Sequence, residues 1–320
     1  MNEQLLNPPK PLLTKKFQDP DITADGKPRA RVALNKETTL WFNTGTLCNI
    51  ECENCYIKSS PKNDSLVYIT STEVKGYLDQ IEERNWPTKE IAFTGGEPFM
   101  NSNMIDIARV CLDRGYNILI LTNAMLPMMR KSMKAGLLAL NSKYPNKLTM
   151  RISVDHYSAD LHDQERGKGS HALTLKGMQW LQDNGFTMHV AGRTVWGETD
   201  AQSRAGYADF YHEHGFNIDA HNSVQTLLFP EMDETVDVPE ITTSCWKILN
   251  KSPNELMCSS SRMVVKYKGS NNLSVLACTL LPYDQQFNLG ATLKEAEQHV
   301  KLNHKHCSKF CVLGGASCSA

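Results

Sequence analysis

The run TLWFNTGTLCNIECENC (39–55) leads from a β-like stretch into a loop that carries Cys48, Cys52 and Cys55 in a C-x3-C-x2-C pattern. No fourth cysteine follows nearby, and the first histidine of the chain is His156. A structural zinc site wants four ligands, so a local one would have to import its fourth from far away. Three thiolates on one short loop can instead each hold one iron of a cubic [4Fe–4S] cluster, leaving the fourth iron open. An open coordination position is a place for chemistry.

Outward from this loop, short β-rich runs alternate with helical patterns. EIAFTGG (90–96), NILILTNA (117–124), LTMRISVD (148–155) and TMHVAGRTVW (187–196) are each followed by a helix-like segment, and a sixth strand is expected within 217–229. Thr70 and Glu73 form a capping-box pattern ahead of Val74, Tyr77, Leu78 and Ile81, whose spacing gives one apolar helix face. Further helices are expected near 103–114, 126–142, 170–184 and 201–214. Repeated β–α units imply parallel strands with helices outside, in an open sheet or a curved partial barrel. In both, working groups gather at the carboxyl ends of the strands. The unusual residues fall there: the cysteine loop, Gly95-Gly96-Glu97-Pro98, Thr122-Asn123, and Ser153 with Asp155.

The chain has 320 residues, 41% hydrophobic and 22% charged, enough for one large α/β domain or one domain with a smaller module. Lys+Arg 34 against Asp+Glu 35 leaves a net charge of -1, so no global field favours nucleic acid or an anionic membrane. No apolar stretch has the length of a membrane span, and the first residues lack a signal-peptide core. The sequence reads as cytoplasmic, with neither nucleic acid nor membrane as a partner. Residues 1–36, rich in Pro, Lys and Asp, read as an extended arm that packs in part over the body. Residues 37–235 form the main domain. Residues 236–320 form a small second one, with β-rich pieces, a helix expected near 292–303 and a cysteine-rich end.

The triplet, the GGEP run about 40 residues on and the β–α alternation together resemble the radical S-adenosylmethionine (radical SAM) superfamily, over about residues 39–230. The resemblance implies a partial (β/α)6 TIM-like barrel. It also implies a [4Fe–4S] cluster held by Cys48, Cys52 and Cys55, whose fourth iron is chelated by the amino and carboxylate groups of S-adenosylmethionine. Gly95, Gly96, Glu97 and Pro98 match the motif that holds the methionine amino group. Asn123, Ser153 and Arg166 match positions that contact the ribose or carboxylate, although Ser153 and Arg166 also read as structural hydrogen-bonders and Asp155 as a loop cap. Relatives often have an aromatic residue just before the third cysteine; this chain has Asn54 there and Tyr56 after it.

Of ten cysteines, five lie between Cys258 and Cys318, while Cys111 sits at helical spacing with Met104, Ile107, Ala108 and Leu112 and reads as core. Cys258 and Cys278 bracket a β-rich stretch, and Cys307, Cys311 and Cys318 follow. Four cysteines suit tetrahedral zinc or a fully ligated cluster equally. The arrangement is similar to the C-terminal SPASM and Twitch extensions of radical SAM enzymes. That similarity implies one auxiliary [4Fe–4S] cluster on Cys258, Cys278, Cys307 and Cys311, with Cys318 able to exchange roles with Cys311. His304 and His306 read as helix-end cations rather than ligands.

If the resemblance holds, an external donor such as flavodoxin or ferredoxin reduces the first cluster, S-adenosylmethionine is cleaved to a 5′-deoxyadenosyl radical, and that radical takes a hydrogen from the substrate. The 47 residues before Cys48 are fewer than a peptide-recognition domain needs, which favours a small molecule or short peptide, for oxidation or rearrangement. A maturase acting on a peptide or protein side chain is the alternative. A non-catalytic iron–sulfur electron carrier would need no cofactor recess, and a zinc-stabilised binding module no cluster.

Overall fold

The structure is a computed structural model that describes residues 15–315 except Glu231 and Glu234; Cys318 lies outside the described residues. After a short strand β1 (Arg31–Val32), the chain runs β2 (Thr39–Asn43), α1 (Ser71–Glu83), β3 (Glu90–Thr94), α2 (Met104–Asp113) and β4 (Asn117–Thr122). It continues through α3 (Leu126–Met129), α4 (Lys131–Lys143), β5 (Leu148–Ser153), α5 (Ala159–Arg166), α6 (Ser170–Asp183), β6 (Thr187–Arg193), α7 (Asp200–His214) and β7 (Thr226–Phe229). Strands β2 and β3 are near-continuous apolar runs because both of their faces are covered: Leu40, Trp41, Phe42, Ile91, Ala92 and Phe93 are all fully buried.

Strands β2 to β7 are parallel and neighbour one another in sequence order, without the reversal that marks a doubly wound sheet. With right-handed crossovers, an unreversed order puts every helix on one face and curls the sheet round the other. The edge strands, β7 and β9 (Ser274–Leu276), do not pair with each other, so the barrel stays open. Among the described residues, no helix is long and apolar enough to cross a membrane.

All six expected strands form, and the Thr70–Glu73 capping box opens α1 as predicted. Two expectations are corrected, and one helix was not expected. The helix expected over 126–142 is two, because Arg130 is extended (φ -60, ψ 144) and its guanidinium donates to the carbonyls of Pro127 and Phe99. The short α5, which carries Arg166, was not predicted. No helix spans 292–303: Glu295 closes a single tight turn by accepting from the amides of Ala291 and Thr292. There, Val300–Lys301 becomes a strand (β10) paired antiparallel with β1, and this tertiary pairing overrides local helix propensity.

After α8 (Cys245–Leu249), β8 (Ser261–Val265) and β9 (Ser274–Leu276) form a hairpin. β8 pairs in parallel with β2, Thr39 opposite Ser261, so the hairpin extends the barrel's own sheet.

The described part of the arm, residues 15–36, is tied down by a buried ion pair. Arg29, 1% exposed, reaches Glu240 at 2.5 Å and donates to the carbonyls of Asp19, Ile22 and Leu302. Glu240 also accepts from the amides of Phe17 and Ala24, both at 2.6 Å. Breaking a buried pair by removing one partner costs about 3–5 kcal/mol. Arg29→Met is therefore expected to lower the unfolding free energy by about 3–5 kcal/mol in denaturant titrations.

Candidate active site

The carboxyl ends of β2 to β6 open into a recess of about 1040 Å3, its mouth to solvent included, and Cys48, Cys52 and Cys55 line it. The loop that carries them is held backbone to backbone. Cys48 donates its amide to the Ser60 carbonyl, Lys58 donates to the Cys55 carbonyl, and the Ser59 amide donates to Cys55 Sγ at 3.3 Å. Burial pushes the Cys48 thiol up to about 12, and the Cys52 thiol up to about 11 despite the nearby Arg166 guanidinium.

Gly95 and Gly96, at the end of β3, line the recess and pack directly on the entry to this loop. A Cβ on Gly96 would lie 2.2 Å from the Leu47 carbonyl oxygen, and one on Gly95 2.5 Å from that of Gly45. The contact is also hydrogen-bonded, Gly96 N–H to the Gly45 carbonyl at 2.8 Å and Glu97 N–H to that of Leu47 at 3.2 Å.

Glu97 is 1% exposed and faces inward. Its carboxylate accepts from the Phe99 amide (3.1 Å), the Asn123 amide (2.8 Å) and the Thr122 hydroxyl (2.8 and 3.0 Å), joining the ends of β3 and β4. Burial pushes this carboxyl up to about 7 against the pull of those donors. Pro98 starts the short turn that follows. Asn123 lines the recess while its side chain donates to Asn49 Oδ1 at 2.9 Å and accepts from the Met125 amide, tying the end of β4 to the cysteine loop.

Ser153, at the end of β5, lines the recess, as does Arg166, the last residue of α5. Arg166 forks onto Asp155, Nε to Oδ2 at 2.7 Å and Nη2 to Oδ1 at 3.0 Å. Burial alone would raise the Asp155 carboxyl, but Arg166 and Arg193 hold it below its ordinary value. Two residues not anticipated from the sequence complete the set. Glu165 accepts from the Asn54 amide (2.9 Å) and from Asn54 Nδ2 (2.8 Å), and Arg193 donates to the Asn54 carbonyl at 2.6 Å while lying 3.5 Å from Glu165. The signal was present: Glu165 adjoins Arg166, and Arg193 is a charge at the carboxyl end of an apolar strand.

Phe229, Pro230, Met232, Leu280 and Phe310 add an apolar part to the lining. Phe229 and Phe310 stack with ring centroids 5.4 Å apart. Phe310 and Leu280 adjoin the second cysteine set. Cys258 sits in the turn before β8 and Cys278 follows β9; Cys307 and Cys311 lie four residues apart on a π-helix (Cys307–Leu313). Cys258 and Cys278 are close enough to raise the Cys307 thiol, which burial already lifts well above its ordinary value. Among the described residues no three Cys, His, Asp or Glu side chains converge on one metal ion; a cubane does not ask that of its thiolates, because each binds a separate iron.

Three thiols on one loop, lining a recess beside glycine backbone that packs against that loop, fit an iron–sulfur group with an organic cofactor. Residues 42–203, just over half of the chain, match the Radical SAM superfamily, and the chain belongs to it. Members of this superfamily use a [4Fe–4S] cluster and S-adenosylmethionine. The antilisterial bacteriocin subtilosin biosynthesis protein AlbA of Bacillus subtilis is 34% identical over 145 residues, 45% of this chain and 30% of that protein. The AdoMet-dependent heme synthase of Methanosarcina barkeri is 26% identical over 147 residues, 45% of this chain and 38% of that protein. These matches span well under half the length of those relatives. Among solved structures, Streptococcus suis SuiB bound to S-adenosylmethionine superposes with a TM-score of 0.56 at 13% identity, covering 81% of this chain and 64% of that one. At that identity the likeness is one of fold, and at 81% coverage it extends past the superfamily match.

Behind Arg166, His162 is fully buried against His171, ring centroids 5.3 Å apart, and neither of its ring nitrogens has a hydrogen-bond partner among the described residues. Burial, then the Arg166 charge, pushes it from an ordinary 6.5 down to about 3. The unfolded chain therefore takes up a proton on this residue below about 6.5 that the folded chain refuses, and acidification weakens the fold. His162→Phe is expected to reduce the fall in melting temperature between neutral pH and about pH 5 relative to the parent. Glu165→Ala removes two hydrogen bonds to a charged acceptor, each worth about 1.5–3 kcal/mol, and should lower the unfolding free energy by about 3 kcal/mol.

Proposed function

We propose that this protein is a radical SAM enzyme in which Cys48, Cys52 and Cys55 hold the S-adenosylmethionine-binding [4Fe–4S] cluster. The observation that carries the reading is the placement of these three thiols beside Gly95 and Gly96, on one recess at the strand ends. When bound and reduced, the cluster and S-adenosylmethionine supply a 5′-deoxyadenosyl radical able to take a hydrogen atom from a substrate.

The chain's own part is binding, orientation and exclusion of water. Gly95 and Gly96 leave backbone open to the methionine end of the cofactor. Glu97, with both carboxylate oxygens engaged, stabilises that edge from beneath, and Pro98 turns the chain away from it. Arg166 spends Nε and Nη2 on Asp155 and keeps Nη1 for a carboxylate, and Ser153 offers a hydroxyl to the ribose. Asn123 acts through Asn49, fixing the cysteine loop. Tyr56 and Ile57, also on the recess, stand where an adenine ring would need an apolar face, while Asn54 is committed to Glu165 and Arg193.

Cys258, Cys278, Cys307 and Cys311 hold one auxiliary [4Fe–4S] cluster in a SPASM/Twitch-like segment within residues 236–320, with Cys318 as the alternative to Cys311. The barrel occupies 37–235 and the arm 1–36. We place the protein in the cytoplasm, where thiols stay reduced, served by an electron donor such as flavodoxin or ferredoxin. The similarity to a bacteriocin biosynthesis protein supports a peptide side chain as substrate, and the apolar wall of Phe229, Met232, Leu280 and Phe310 suits an apolar one. A small-molecule substrate is the second reading, supported by the similarity to heme synthases.

Anaerobically reconstituted protein should bind roughly eight iron atoms and release 5′-deoxyadenosine from S-adenosylmethionine and dithionite, and the Cys48/Cys52/Cys55→Ala variant should keep roughly four irons and release none. Iron loading without triplet-dependent 5′-deoxyadenosine would favour an electron carrier.

A further inference from the structure

Three arginines in this structure illustrate how a buried cation is accommodated. Arg29 has Glu240 and Arg166 has Asp155. Arg262, on β8 four residues after Cys258 and 1% exposed, has no carboxylate within ion-pair distance among the described residues. Its guanidinium donates only to backbone carbonyls: Nε to Ala296 at 2.8 Å, Nη1 to Cys258 at 2.6 Å and Ser261 at 2.8 Å, Nη2 to Gln298 at 3.3 Å. Carbonyl dipoles solvate a cation but do not neutralise it, and an unpaired buried charge is strongly unfavourable. Of the ionisable groups around it, the Cys258 and Cys278 thiols bear on it more than Glu37 does, and with burial pushing the Cys258 thiol up to about 12 they become anionic there only as metal ligands. The carbonyl nearest to it belongs to Cys258 itself.

We propose that Arg262 is a positioning residue that supplies the counter-charge of an auxiliary [4Fe–4S] cluster on Cys258, Cys278, Cys307 and Cys311 and thereby raises its reduction potential. The proposal rests on the auxiliary-cluster reading above. Four thiolates and a cubane core carry net negative charge, and reduction adds one electron to the irons and one negative charge to the group, with no bond made or broken. A fixed cation in a low-dielectric interior favours the more negative, reduced form, and solvent ions screen it little. The same guanidinium bridges the Cys258 turn to the carbonyls of Ala296 and Gln298, so it also fixes the turn that presents Cys258.

The test uses the full chain carrying Cys48/Cys52/Cys55→Ala, reconstituted anaerobically, so that only the second cysteine set contributes. Iron and labile sulfide come first, and absence of a cubane in this parent would sink the auxiliary-cluster reading and the proposal with it. With a cubane present, a redox titration with dithionite and mediators, followed by electron paramagnetic resonance, compares the parent with Arg262→Lys and Arg262→Gln. Arg262→Met takes the place of Gln if that variant does not fold, since an apolar side chain of similar volume is often tolerated where a buried charge stood. At the potential that half-reduces the parent, the neutral variant should show about a tenfold lower ratio of reduced to oxidised cluster, and Lys a ratio near the parent's. The difference should persist at high salt. A neutral variant that titrates with the parent, or Lys and neutral variants shifted equally, would overturn the proposal and leave the cluster assignment standing.

Discussion

The site depends on two stretches of backbone meeting without side chains between them. Gly95 and Gly96 lie so close to Gly45 and Leu47 that a methyl group on either would overlap a carbonyl oxygen. Because the two segments also exchange hydrogen bonds, the end of β3 fixes where the cysteine loop leaves β2. Glu97 then carries the constraint to β4, and Asn123 returns it through Asn49 to the loop between Cys48 and Cys52. The missing Cβ atoms of the glycines are therefore what lets the two segments close, and the backbone that results borders the recess.

The charges of the recess are balanced among themselves. Asp155 and Glu165 meet Arg166 and Arg193 in a chain of ion pairs that ends on Asn54. Each member is nearly buried, so the set is held by mutual attraction in a poorly screened environment and its geometry is set before any ligand arrives. Asn54 shows what this achieves. Where relatives often carry an aromatic residue, this chain has a small amide that three hydrogen bonds lock to Glu165 and Arg193.

How much of this was legible in the sequence follows from the range of the forces involved. The six parallel strands and the capping box of α1 were readable because they rest on local periodicity and caps. Periodicity left the choice between open sheet and barrel open, because it depends on strand order; the resemblance implied a partial barrel, and the unreversed 2-3-4-5-6-7 sequence of neighbours agrees with it. The segment 292–303 misled because its β10 exists only through pairing with β1, some 270 residues earlier. Gly95, Gly96 and the cysteines announced themselves by residue type. Glu165 and Arg193 gave only a weaker signal, a place beside Arg166 and a charge at a strand end, because their role comes from facing Asn54.

The barrel and the C-terminal segment are joined by more than chain connectivity. β8, which follows Cys258, is hydrogen-bonded along β2, the strand that leads into the first cysteine loop, so one sheet carries the approaches to both thiol sets. The recess adds an apolar connection, since Leu280, two residues after Cys278, and Phe310, next to Cys311, line it together with the first cysteines. The polar side of the recess is rigid through paired charges, and the apolar side through stacking of Phe229 on Phe310. On the reading proposed above, Arg166 Nη1 and the Ser153 hydroxyl answer to the cofactor, so discrimination between substrates falls to the shape of the apolar part of the lining.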